Sequence, residues 1–206
     1  MILYGGLGSP FVRRTAITLR LYGIEHEHRQ LRTVDPEQRA ELKSVNPLVR
    51  VPALTTDDAG TLVDSATILD YLDRHVGPEK ALTPAGGLER TRVLGLIGLA
   101  IGAIDKSIAE YYERGKHPEE KWHQPWMDQL LEQSKDGFGA LEQQHAGPWL
   151  TGDKMTQADV STVAFLDFAR HNRPQSAPAL NCPKLEAMAE RANRLPAFAE
   201  TWPPGY

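Results

Sequence analysis

The sequence predicts a small α/β sheet domain followed by an all-helical domain. Residues 1–77 read in the order β-α-β-α-β-β-α, an early βαβ half and a late hairpin half. From Leu88 onward no convincing strand appears and long helical patterns take over. Thr83-Pro84-Ala85-Gly86-Gly87 between them has the composition of a linker. The expected boundaries are 1–77 for the sheet domain, 78–87 for the linker and 88–206 for the helical domain.

The first strand, Ile2 to Tyr4, stops at Gly5-Gly6-Leu7-Gly8, and Ser9-Pro10 opens a helix that runs to Tyr22. Serine is a preferred N-cap, and proline suits the first helical position, where no amide hydrogen is needed. Ala16, Ile17, Leu19 and Leu21 give this helix its apolar positions, and Gly23 stands where a C-terminal glycine is expected. Strand, tight loop and helix start in this order turn backbone N–H groups and a positive dipole end toward whatever lies above the loop. An anion or a thiolate is the natural guest. Glu25 to Leu31 alternates weakly and reads as an edge strand. Asp35-Pro36-Glu37 starts a short helix to about Val45, and Asn46-Pro47 breaks it, since the residue before proline avoids the helical region. Val51 to Thr55 and Thr61 to Val63 form a hairpin around Asp57-Asp58-Ala59-Gly60. Ser65 then reads as the cap of a helix carrying Ile68, Leu69, Tyr71 and Leu72, which Gly77-Pro78 ends.

The second half reads as four helices: Leu88 to Arg114, Glu119 to Gln144, Gln157 to Arg170, and Lys184 to Asn193. Gly115–Pro118, Gly147-Pro148, Arg173–Pro178 and Pro196 punctuate them. Thr156-Gln157-Ala158-Asp159 has the form of a capping box ahead of Val160, Val163, Ala164, Phe165 and Phe168.

Composition narrows the function classes. With 206 residues the chain has length for a real core, and its 23 basic against 27 acidic residues show no nucleic-acid footprint. No candidate helix has a basic cluster on its polar face, so no membrane-surface role is indicated. The longest apolar run, Leu94 to Ile104, is too short to span a bilayer and reads as a buried helix. The chain enters a strand almost at once, without a charged n-region or cleavage site, so no signal peptide is expected. The single cysteine, Cys182, excludes an internal disulfide and fits a reducing compartment; cytoplasm is the expected location.

Four local features occur in order over nearly the whole chain: Ser9-Pro10-Phe11 at the strand-to-helix turn, Asn46-Pro47-Leu48-Val49-Arg50-Val51-Pro52-Ala53-Leu54, Asp64-Ser65 after the fourth strand, and the Thr156–Asp159 capping box. Together they make the chain resemble a cytosolic glutathione S-transferase, nearest to bacterial serine-type members. The resemblance implies a thioredoxin-like N-terminal domain and an all-α C-terminal domain lining an electrophile pocket. It also implies a homodimer, with glutathione as co-substrate and no metal. Glutathione has two carboxylates, an amine and a thiol. In this reading Ser65 and the amides beside it take a carboxylate, and Asp64 takes the ammonium group. Val51, ahead of a cis Pro52, pairs with the peptide backbone as an added strand would, and Arg50 meets the other carboxylate. Ser9 donates a hydrogen bond to the sulfur and favours the thiolate; it is not a nucleophile. Phe11 borders both the glutathione and the electrophile, and Leu7 with Tyr111 or Tyr112 completes the electrophile contacts. The implied reaction is attack of the thiolate on a hydrophobic electrophile. A non-catalytic glutathione-binding or regulatory protein of the same fold, or a glutathione-dependent isomerase or dehalogenase, are the alternatives.

Several residues carry two readings. Arg13 shares a helix face with Ser9 and reads either as a group that tunes the sulfur or as a solvated charge. Arg14 is expected in a structural ion pair rather than at a ligand, and Trp122 and Trp126 in packing. His26 and His28 share a strand face without a third ligand nearby, so no metal site is expected. Cys182 lies far from the strand-to-helix turn, which disfavours thiol-disulfide chemistry. Three departures from the family pattern stand out: Val49 where glycine is frequent, Asp64 where glutamate is usual, and the glycine-rich approach to Ser9.

Overall fold

A computed structural model of the chain describes residues 1–172 and 180–204. The chain forms two compact units. One comprises Met1–Ala85 together with the described residues from Asn193 onward, and the other comprises Gly86–Ala192.

The first unit is built on a four-stranded mixed sheet in the order β2-β1-β3-β4. β1 (Ile2–Tyr4) runs parallel to β2 (Glu27–Arg29) and antiparallel to β3 (Ala53–Thr56), which pairs antiparallel with β4 (Gly60–Val63). Side chains alternate across a strand, so neighbours in β1 feed opposite faces. Leu3 and its register partner Leu54 pack with Val12, Ala16 and Leu19 of α1 (Pro10–Leu21) and Ile68, Leu69 and Leu72 of α3 (Ser65–Val76). Tyr4 and Ala53 face the other way and pack with Leu42 of α2 (Pro36–Val45). Full burial of one such aliphatic side chain contributes about 1.5–3 kcal/mol, so α1 and α3 are held firmly on one face.

β2 is shorter than the Glu25–Leu31 expected and has two exposed residues of three, as befits an edge. β3 begins two residues later than expected, because Pro52 has no N–H to give the ladder. The stretch from 78 to 85 belongs to this unit rather than to a free linker: Leu82 N donates to Tyr22 Oη at 2.7 Å, and Tyr22 in turn donates to Asp73. The chain also returns to it at the end. Asn193 Oδ1 accepts from Arg13, and the short helix α8 (Pro196–Ala199), which the sequence reading treats only as a proline break, packs on α1. Pro196 sits at the start of α8, where its missing N–H costs nothing. The segment expected to finish the helical domain thus sits on the sheet unit instead.

The second unit consists of α4 (Gly87–Lys116), α5 (Gln124–Gln144), α6 (Gln157–Asn172) and α7 (Pro183–Ala192). The helix expected from Glu119 is interrupted. Glu119–Lys121 is a single 3-10 turn, and α5 restarts at Gln124 with Pro125 in its first turn. α4 and α5 cross closely: a Cβ on Gly137 would lie 2.7 Å from Ala103 Cβ. α6 is buried along nearly its whole length, with Val160, Val163, Phe165 and Leu166 no more than 1% exposed. The Leu94–Ile104 run is not buried all round as expected. Leu96, Ile97, Ala100, Ala103 and Ile104 are covered, while Leu94, Gly95, Gly98 and Gly102 are exposed. The expected break at Arg173–Pro178 lies outside the described residues. No helix among the described residues is long and apolar enough to cross a membrane.

Candidate functional site

The loop after β1 is shaped by Gly5. Its φ of +128° favours glycine, and a Cβ there would lie 2.6 Å from Val12 Cγ2 and 2.8 Å from Val51 Cβ. Gly5 N donates to Arg29 O at 2.9 Å, and Gly5 O lies 2.8 Å from His28 Nε2. Far from being loose, the approach to Ser9 is pinned to β2, α1 and the residue before Pro52. Ser9 N donates to Gly6 O, and Ser9 caps α1 in an extended conformation. Its Oγ accepts from Val12 N at 3.5 Å, the outer limit of a hydrogen bond, so capping occupies this hydroxyl only weakly.

A second loop, from Asn46 to Pro52, faces the start of α3. Asn46, 1% exposed, organises it: Oδ1 accepts from Leu48 N at 3.0 Å, and Nδ2 donates to Arg50 O at 2.8 Å. Val49 adopts φ +52°, a left-handed conformation that a β-branched residue rarely takes. The Val51–Pro52 peptide is cis. Asp64 is also left-handed, at φ +72°. This loop and the β4–α3 junction enclose a pocket lined by Phe11, Arg50, Val51, Pro52, Asp64 and Ser65 from the expected set, joined by Asn46, Leu48 and Val63. Ser9 is not in that lining; it lies two residues before Phe11 on the cap of the same helix.

The electrostatics of the junction differ from the expectation that Ser65 caps α3. Asp64 is the cap: its Oδ1 accepts from Ala66 N at 2.8 Å, and its carbonyl accepts from Ile68 N. Ser65 is the first helical residue, 2% exposed, and its Oγ accepts two bonds from the Arg14 guanidinium, at 3.1 Å from Nε and 2.6 Å from Nη2. The ring of Phe11 lies 5.5 Å from the Arg14 guanidinium carbon. Burial forces a charged group to find partners, which is why Arg14, 1% exposed, reaches across to α3.

Residues 8–75 match the family model described as glutathione S-transferase, N-terminal domain, and residues 104–200 match glutathione S-transferase, C-terminal domain. Maleylacetoacetate isomerase of Pseudomonas aeruginosa is 30% identical over 98% of this chain and 96% of that protein. The chain belongs to the glutathione S-transferase family. A glutathione transferase family member from Pseudomonas fluorescens Pf-5, solved with bound glutathione, is 29% identical with a TM-score of 0.82 and covers 98% of each chain. A maleyl pyruvate isomerase, a bacterial glutathione S-transferase in the zeta class, is 27% identical with a TM-score of 0.80, covering 100% of this chain and 98% of that one.

The remaining expected residues are not part of that pocket's lining. Leu7 packs into the core of the sheet unit at 7% exposure and so offers little surface to a ligand. Tyr111 and Tyr112, on α4 of the helical unit, are both exposed. Tyr111 stands edge-on to Phe168 at 6.0 Å, and the Lys116 ammonium lies 4.4 Å from the Tyr112 ring centre. Arg13 is not the solvated charge of one reading. It is buried, donates to Asn193 Oδ1 at 3.0 Å and stacks 4.9 Å over Trp202, because the returning C-terminal segment covers that side of α1. Trp122 packs under Arg114 and donates to His117 O, but Trp126 is exposed. His26 and His28 each face a backbone carbonyl, and burial pushes the His28 imidazole down. Cys182 is buried, and its thiol is pushed up to about 11, which removes thiolate reactivity near neutral pH. Among the described residues no cluster of three His, Cys, Asp or Glu side chains is placed to hold a metal ion.

Sequence reasoning missed Asn46 and Arg14 as parts of this site. An Asn-Pro pair ending a helix is already a turn signal, and the side-chain amide bonding two residues on is its usual device. Arg14 left no local signal, because its partner is 51 residues away.

Proposed function

We propose that this chain binds glutathione on its sheet unit and activates the thiol for attack on a hydrophobic electrophile. The observation that carries the reading is the convergence of Phe11, Arg50, Val51, Pro52, Asp64 and Ser65 on one pocket beside a cis Val51–Pro52 peptide. In this reading one carboxylate of glutathione meets the Ser65 hydroxyl and the first-turn amides of α3, which have no intrahelical partners. The exposed Asp64 carboxylate takes the ammonium group, Val51 pairs its main chain with the cysteinyl part, and Arg50 meets the second carboxylate. Ser9 donates its O–H to the sulfur. The positive end of α1 adds to that stabilisation, and each tenfold gain in thiolate population corresponds to about 1.4 kcal/mol. The thiolate then forms a bond to the electrophilic carbon and the leaving group departs with the bonding pair. Phe11, which lines the pocket, is proposed as its apolar contact on the sheet unit, and a homodimer in the cytoplasm as its working form.

Titration calorimetry with glutathione, followed by a steady-state assay with an activated aryl halide, tests this reading. Ser9→Ala is expected to lower turnover by about a hundredfold with glutathione affinity nearly unchanged, as for loss of one donor to a developing anion. Absence of both binding and turnover in the wild type overturns it; binding without turnover leaves a non-catalytic glutathione-binding protein.

The relatives named maleylacetoacetate isomerase and maleyl pyruvate isomerase favour a second reading, a glutathione-dependent isomerase. The same thiolate would add to a conjugated double bond, allow rotation about the resulting single bond, and be expelled as the double bond re-forms. The two readings differ in stoichiometry. A transferase consumes one glutathione per product, whereas an isomerase leaves total free thiol unchanged over many turnovers.

A further inference from the structure

We propose that Arg14 is a positioning residue that aims the Ser65 hydroxyl at a carboxylate of the bound ligand, an inference that rests on the glutathione reading above. A serine hydroxyl has one hydrogen to donate and two lone pairs to accept with. Arg14 Nε and Nη2 donate into Ser65 Oγ at 3.1 and 2.6 Å, so the guanidinium fork supplies a donor for each lone pair. What remains is the O–H, directed away from the cation. Ser65 lines the pocket shared with Arg50 and Asp64, and its side chain is 2% exposed, so the hydroxyl cannot turn freely to bulk water. A serine of this kind is a committed donor. It suits a group that only accepts, such as a carboxylate, and discriminates against a neutral group that must also donate.

The charge matters as well as the direction. A hydroxyl that accepts from a cation is polarised and donates more strongly in turn, an effect enhanced where water is excluded. Arg14 is 1% exposed, so little solvent screens it. Lysine would bring the charge as a single point and lose the planar fork that engages both lone pairs. Arg14 also connects the two ends of the site. It lies on α1, five residues beyond Ser9, and its bond to Ser65 ties that helix to the start of α3. The separation between the carboxylate anchor and the serine proposed at the sulfur is therefore set in part by one side chain.

A double-mutant cycle read by calorimetry tests this. Arg14→Met, Ser65→Ala and the double variant are titrated with glutathione and with a glutathione analogue whose γ-glutamyl carboxylate is converted to the amide. Arg14→Met and Ser65→Ala are each expected to weaken glutathione binding by about ten- to a hundredfold, the range for a hydrogen bond to a charged group. The double variant is expected to bind within about twofold of the weaker single variant, because both changes remove the same interaction. Wild type should bind the amide analogue as weakly as Arg14→Met binds glutathione. Arg14→Lys is expected to fall between wild type and Arg14→Met; it also carries the comparison should Arg14→Met give no cooperative melt. Additive losses in the cycle, equal losses for glutathione and the amide, or unchanged affinity in Arg14→Met overturn the positioning role while wild-type binding stands. No glutathione binding by the wild type overturns the function reading and this inference together.

Discussion

Asp159, in the first turn of α6, and Asp64, the N-cap of α3, serve their helix starts in opposite ways. At α6 the carboxylate of Asp159 is completely buried and accepts three bonds: Leu150 N at 2.7 Å on Oδ1, and Thr156 N at 2.7 Å and Thr156 Oγ1 at 2.8 Å on Oδ2. At α3 the carboxylate of Asp64 is exposed, accepts from Ala66 N at 2.8 Å, and sits on a residue with φ +72°. A buried carboxylate is tolerable only when its acceptor sites are filled, so the first arrangement closes on itself and leaves nothing to offer a ligand. The second keeps acceptor capacity at the surface, next to a serine already committed as a donor. Helix starts that look alike in sequence thus divide into one that folds the chain and one that serves a site.

The largest expected effect tests the closed start. Asp159→Ala strands the amides of Leu150 and Thr156 and is expected to cost about 3 kcal/mol or more in urea unfolding. A loss below about 1 kcal/mol would mean that the two starts do not differ in kind. Gly5→Ala comes next, at about 2–4 kcal/mol, since the added methyl would meet Val12 Cγ2 and Val51 Cβ at a φ only glycine accepts readily. It would show that the sheet unit is packed tightly beneath its open pocket. Asp64→Ala is expected to cost only about 1 kcal/mol, the usual value of an N-cap. Asp64→Asn keeps the cap and the tolerance of a positive φ while removing the charge, so it should melt near wild type yet bind glutathione less well.

The smallest effect is one of pH. Burial pushes the Asp159 carboxyl up, although the bonds from Leu150 and Thr156 oppose the shift. A folded-state pKa above the unfolded value of about 3.9 means the group's contribution is fully present below that pH and is lost as pH rises through the folded value. The stability of wild type minus that of Asp159→Asn should therefore decline as pH rises above about 4 and then level off. A difference that grows with pH would show that the three hydrogen bonds outweigh desolvation.

Much of the scaffold was legible because it rests on short-range rules. The period of two in the strands, the Ser9-Pro10 start, the Asp35-Pro36 start and the Gly77 stop all depend on residues within one or two turns of one another. The capping box was legible too, though only half of it. The Thr156 partner is local, while the bond from Leu150 closes a nine-residue span. At the candidate site the residue types were readable, and most of them do line one pocket. Their working relations were not. Which of Asp64 and Ser65 caps α3 turns on backbone angles imposed by the β4–α3 junction. The burial of Arg13 depends on a segment that begins 180 residues later.

By itself, then, the sequence determined the order of the main elements, the two-part division of composition, the family, and most of the residues that gather around the cis Val51–Pro52 peptide. Tertiary structure alone decided that Arg14 engages Ser65, that Arg13 lies under Trp202, that the C-terminal segment returns to α1, and that Leu7 belongs to the core. The physical reason is range. Propensity, capping and periodicity are written in neighbouring residues, whereas a buried charge takes whichever partner the packed fold brings within 3 Å or so, and no local pattern records that partner's position.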